Sequence, residues 1–329
     1  MIFRMHVAVL LAFLSVEGNA ESPQLTQPGF AAQPAEEVIS VGAGQSSQNA
    51  VNGKAESAPQ QMPQIQPPRQ EVKPAILPHR ATYEISLYKN HGDDNIADAK
   101  GEMTLQVVHT GEGWAIEQKS TLHVYNKDGS AEQIRNTLTT WESADGLTYS
   151  FKVRTVRGDD EEIIGGDAFI PTKGGAGLVT YQQPEESTVQ LPIGTVFPMQ
   201  HMISMLSAAM RGQPIVSHIV FDGSSETHEP VQVDTALGKT QDSKLAVTNK
   251  DLLQAKKVWP MSMAIYAEGS TDPEANYKIV QHVLDQGVIR DMTIDYGAFE
   301  VKAVLTQVEV FQEPSEEPKK QPNAAAPTA

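Results

Sequence analysis

The sequence predicts an all-β, mainly antiparallel fold: an open or spiral half-barrel of roughly 14 strands with one amphipathic helix. Three observations carry this expectation. Between residues 76 and 311 apolar and polar side chains alternate with period two, as half-buried strands require. The alternating runs are parted by turn signals that end in glycine, such as Lys127-Asp128-Gly129, Ala144-Asp145-Gly146, Asp285-Gln286-Gly287 and Asp295-Tyr296-Gly297. One segment alone, 197–212, spaces its apolar residues helically, and a single helix among so many strands must plug or cap a strongly curved sheet.

Taken from the N-terminus, residues 1–20 combine an early Arg4, an apolar run from Val7 to Val16 and a small-x-small end, Gly18-Asn19-Ala20. This reads as a cleavable secretory signal. The run is about half of the roughly 20 residues that a membrane span needs, and no later segment is longer, so no integral span is expected after cleavage. Residues 21–75 hold 8 Pro and 10 Gln, with Phe30 as the only aromatic, and read as a disordered linker with nothing to bury against the entropy of ordering. The tail 312–329, with 4 Pro, reads the same way.

The core, 76–311, is expected to be one domain. Ala81, Tyr83, Ile85 and Leu87 alternate with Thr82, Glu84 and Ser86 in a first strand. Further strands are expected at 101–109, 114–125, 132–142, 147–156, 162–170, 176–181, 215–221, 230–237, 257–267, 276–285, 288–295 and 298–311. The helix opens with Phe197-Pro198, where proline suits the first turn. It carries Met199, Met202, Ile203, Met205, Leu206, Ala209 and Met210 along one side and stops at Gly212.

Composition excludes several functions. With 25 Lys and Arg against 41 Asp and Glu, the net charge of −16 leaves no basic field for phosphates, so nucleic-acid binding is not expected. The absence of cysteine rules out disulfides, Fe–S and thiolate-zinc sites, and a lipid-modified N-terminus. No dinucleotide fingerprint, phosphate loop, H-E-x-x-H or G-x-S-x-G is present, and no cofactor, metal or catalytic residue is assigned.

Several short stretches together resemble the EipB-like family. They are Leu77-Pro78-His79-Arg80-Ala81-Thr82-Tyr83, Thr140-Trp141-Glu142 with Asp145-Gly146, Leu191-Pro192 with Val196-Phe197-Pro198-Met199-Gln200-His201-Met202, Phe221-Asp222-Gly223-Ser224, and the closing Leu284 to Phe299. The resemblance spans 76–311. It implies a periplasmic protein of Gram-negative bacteria that supports cell-envelope integrity, folded as a β-spiral similar to the lipoprotein carriers LolA and LolB. It brings no catalytic residues with it. The resemblance also implies a pair of cysteines in relatives, one near Gly113-Trp114, and here Gly111 stands in its place. Loss of such a crosslink costs about 2–4 kcal/mol.

Three functional readings follow, in order of preference. The first is a non-catalytic, monomeric envelope protein that holds a lipid, a lipoprotein acyl chain or an apolar peptide in a concave cleft. Its candidate contacts are Trp141, Phe197, Met199, His201, Met202, Ile203, Met205, Leu206 and Trp259. Methionines at helical spacing are more often core than cleft, but a half-barrel under one helix favours an apolar site with adaptable walls. The second is an interaction scaffold with a filled core, docking periplasmic envelope proteins by its sheet surface or linker. The third, a hydrolase, needs two or more of His201, Asp222 and Glu226 to converge in one pocket. His201 on its own is expected to be a packing histidine, His79 and Arg80 an edge-strand pair, and Asp159-Asp160-Glu161-Glu162 a solvated turn.

Overall fold

The computed structural model describes residues 73–311, apart from 93–94, 225–227, 246, 248–252 and 254. The expected signal, most of the linker and the tail lie outside the described residues. The first half of the core is a run of strands joined by short turns: β1 (His79–Asn90), β2 (Ile96–His109), β3 (Gly113–Asn126), β4 (Ala131–Ser143), β5 (Thr148–Arg157), β6 (Asp160–Phe169), β7 (Gly177–Gln183) and β8 (Ser187–Leu191). The second half is β9 (Thr195–Val196), α1 (Pro198–Met210), β10 (Ile215–Val220), β11 (Val231–Leu237), β12 (Gln241–Asp242), β13 (Lys257–Ala267), β14 (Tyr277–Leu284), β15 (Ile289–Asp295) and β16 (Phe299–Val310).

Among the described residues all 16 strands belong to one sheet, ordered β8-β7-β6-β5-β4-β3-β2-β1-β16-β15-β14-β13-β11-β10-β9, with β12 paired to β13 off this path. Every pairing is antiparallel except β9 with β10. The chain thus starts in the middle of the sheet, meanders out to one edge at β8, reappears at the opposite edge at β9, and returns until β16 lies beside β1.

That order fixes the curvature. Fourteen strand spacings of about 4.8 Å would part the two edges of a flat sheet by roughly 65 Å. Only Pro192, Ile193 and Gly194 connect β8 to β9, a link that reaches on the order of 14 Å. The sheet therefore curls until its edges approach, which makes it a nearly closed, barrel-like structure.

Each of the thirteen expected strand runs is present. The three that period two did not reveal are β8, β9 and β12. β9 and β12 are only two residues long, and β8 is a polar edge strand with one buried residue, so none carries a full alternation.

The helix is also where expected. Gly212, at φ +71°, ends it in a Schellman motif, with Gln213 N–H bonded to Ala208 O at 3.0 Å and Gly212 N–H to Ala209 O at 2.9 Å. It packs against β10 and β11. Among the described residues no helix is long and apolar enough to cross a membrane.

Candidate functional site

The inner face of the sheet is identified by what touches α1. Glu142 of β4 accepts hydrogen bonds from Met199 N–H at 2.7 Å and Gln200 N–H at 2.9 Å, so Glu142, with Thr140, Leu138 and Asn136 behind it on the same strand, faces the helix. On the other side Thr235 of β11 touches the Met205 sulfur at 3.4 Å, which sets the inward residues of β11 and of its neighbour β13.

Glu142 is the helix cap. The residue at the N-cap position, Phe197, has no side chain that can serve, and Pro198 has no N–H. The carboxyl group from a distant strand takes over, one oxygen accepting from each of the two N–H groups that the helix end leaves without partners. Burial pushes the Glu142 pKa up to about 8, against the downward pull of the two N–H bonds. The turn that follows Glu142 closes on the same helix end: Gly146, at φ +73°, lies so close to the Gln200 side chain that any Cβ there would collide with it.

The methionine stripe lies flat against the core. Phe197, Met199, His201, Met202, Met205 and Leu206 are each at most 2% exposed, and Ile203 is half-buried against the same cluster. With so little exposure, these side chains pack into the hydrophobic core formed by the described residues. Each buried Met or Leu contributes about 1.5–3 kcal/mol.

Trp259 also lies on the inner face, 8% exposed and opposite Val283. Trp141 does not join this group. It stands on the other face of β4 from Glu142, half-buried, and its Nε1 donates to Thr110 Oγ1 at 3.3 Å. The alternation on β4 sends Thr140 and Glu142 inward and therefore turns the tryptophan outward.

His201 meets a second histidine, and the sequence alone does not reveal that pairing. Its Nδ1 lies 2.9 Å from His218 Nδ1, so one ring donates to the other, and Ser204 Oγ is 3.3 Å from His218 Nε2. Burial and the neighbouring ring lower the His201 pKa to about 3, and burial lowers that of His218. Both are neutral at pH 7 and tie α1 to β10.

An aromatic group closes the same end of the interior. Tyr149 stacks on Phe197 with ring centroids 5.1 Å apart, and Phe221 stands edge-on to Phe151 at 5.6 Å. Tyr149 Oη donates to Asp222 O at 2.9 Å. Of the three hydrolase candidates, Asp222 is engaged by Ser224 through its N–H and hydroxyl at 2.9 and 2.8 Å, His201 by His218, and Glu226 lies outside the described residues.

Away from this interior, His91, Asp295 and Glu300 bring ligand-type atoms within 4.8 Å of one another. His91 Nε2 lies 2.8 Å from Glu300 Oε1, and Lys89 Nζ lies 3.5 Å from the same oxygen. This is a surface ion-pair group that already holds its own cation.

Comparison with known proteins is consistent with this architecture. The model of the EipB-like family matches residues 70–312. The chain belongs to the EipB-like family. A relative in the family, the cell envelope integrity protein EipB of Brucella abortus (strain 2308), is 27% identical over 244 residues, covering 72% of this chain and 85% of its own length. A crystal structure of a beta-barrel-like protein of a domain of unknown function, also from Brucella abortus, superposes with a TM-score of 0.66 at 26% identity. That match covers 73% of this chain and 100% of the other. The name of the Brucella relative states a role in cell envelope integrity.

Proposed function

We propose that this EipB-like protein supports cell-envelope integrity from the periplasm by taking an apolar chain, such as an acyl tail or an apolar peptide, into the interior that α1 fills at rest. The envelope role draws on the Brucella relative, and the periplasmic site on the signal-like residues 1–20. The observation that carries the binding reading is the way α1 is held. Its contact surface is built from Met199, Met202 and Met205, whose thioether side chains repack at low cost. Its polar ties to the sheet among the described residues include Glu142 and the Ala144 carbonyl at the N-terminus, Thr235 at Met205, and His218 with His201 and Ser204. A plug of this kind gives way to a ligand that offers the sheet an equivalent apolar surface.

Native mass spectrometry of the mature protein, purified without detergent and then extracted with organic solvent, tests the proposal. A bound acyl species together with faster amide exchange over 198–210 in the loaded protein supports it. A clean apo mass that persists in the presence of added lipid overturns it.

A second reading rests on a different surface. Phe169 and Leu178 are register partners on the outer face of β6 and β7, 53% and 49% exposed. Such a pair suits docking of an envelope protein. Loss of partner capture in Phe169→Ser/Leu178→Ser, with acyl binding retained, separates this reading from the first.

A further inference from the structure

Two glutamines are buried in the interior without a side-chain hydrogen bond. Gln118 at the centre of β3 and Gln281 at the centre of β14 are both 0% exposed, and both the Nε2 and the Oε1 of each lack a hydrogen-bond partner. Their register neighbours explain why. Gln118 lies between Leu105 and Leu138, and Gln281 between Met261 and Met292.

Both belong to the helix-bearing face. Gln118 lies opposite Leu138, which shares a side of β4 with Glu142; Gln281 lies opposite Met261, which shares a side of β13 with Met263, the register partner of Thr235. Close to Gln118, Asn136 donates to Thr155 Oγ1 at 2.9 Å but leaves its own Oδ1 without a partner.

An unmade hydrogen bond on a buried polar group is one of the costlier features a core can carry, and leucine or methionine would fill either position without it. Groups kept at that cost call for a reason, and a bound state in which they are satisfied supplies one. A primary amide asks for a carbonyl to accept from its NH₂ and an N–H or O–H to donate to its oxygen. A hydrocarbon supplies neither. A carboxylate supplies acceptors only and would bring an unpaired charge into the interior.

We infer that Gln118 and Gln281 are ligand-recognition residues, and that the chain held on the inner face is an amide-linked acyl chain, a neutral N-acyl amide whose C=O and N–H meet these side chains. This rests on the apolar-chain reading above and narrows its ligand.

The test is competition against a fluorescent acyl probe on the mature protein, using N-ethyldecanamide, ethyl decanoate and tridecane, with thermal midpoints measured in parallel. Wild type is expected to rank amide above ester above hydrocarbon, with about tenfold between the first and last. Gln118→Leu and Gln281→Leu, and the more flexible Gln118→Met and Gln281→Met, are expected to flatten that ranking while keeping or raising the thermal midpoint. Lowered midpoints with the ranking intact would overturn the inference and make the amides structural. Equal binding of all three competitors by wild type also overturns it, yet leaves the apolar-chain reading standing. Failure to bind even the fluorescent probe defeats both.

Discussion

Glu142 caps a helix through a residue 57 positions further along the chain, its Oε2 accepting from the Met199 N–H at 2.7 Å. The bond joins the end of β4 to the start of α1, and so couples the sheet wall to the element that fills it. Glu142→Ala leaves the Met199 and Gln200 N–H groups buried without acceptors and opens a cavity. A loss of about 2–3 kcal/mol is expected. Urea unfolding measures it, and amide exchange over 198–203 should rise more than over 205–210.

The pH dependence of stability has two limbs. For Glu142 the folded pKa of about 8 lies above its ordinary 4.5, so the folded state holds the extra proton and stability falls as pH rises from 4.5 through 8. For His201 the folded value of about 3 lies below 6.5, so the unfolded state holds the extra proton and stability falls as pH drops from 6.5 towards 3. The lowered values of His218 and His79 add to the acid limb. Stability is thus expected to peak between these limbs. Urea midpoints of Glu142→Gln should no longer decline between pH 6.5 and 8, and those of His201→Asn should decline less below pH 6.5. An unchanged alkaline limb in Glu142→Gln would refute the assignment.

Two glycines with similar backbone angles should respond differently to alanine. Gly212 at φ +71° has open space where a Cβ would stand, with nothing within 4 Å, so Gly212→Ala costs only the strain of the left-handed backbone, about 1 kcal/mol. Gly223 at φ +75° would drive its Cβ to 2.3 Å from the Phe151 ring. Gly223→Ala is expected to cost about 2–4 kcal/mol, and Gly223→Ala/Phe151→Leu to recover part of it. Thermal unfolding of the three variants gives the comparison.

Met205 is fully buried where it meets Thr235, so Met205→Glu forces a charge into the sealed interior. A loss of more than about 4 kcal/mol, or failure to fold, is expected, whereas Met205→Leu keeps volume and polarity and should stay within about 1.5 kcal/mol. Circular dichroism and denaturant titration distinguish the two.

The local elements are legible in the amino-acid order alone: thirteen strand runs and one helix, with glycine turns between them. Those follow from chemistry within a few residues, since alternation and helical spacing are local periods and a left-handed turn selects glycine where it occurs. Composition likewise establishes that cysteine chemistry plays no part. Which face of a weakly patterned strand lies inside depends instead on contacts made across the folded sheet. On β4 the order Thr139-Thr140-Trp141-Glu142 invites Trp141 into the core, yet the helix end needs an acceptor, so Glu142 goes in and the tryptophan goes out. The pairing of His201 with His218, the sealing of Gln118 and Gln281 and the curl enforced by the short β8–β9 link belong to the same class. Each joins residues through sheet order, and a period of two records that side chains alternate but not what stands opposite them.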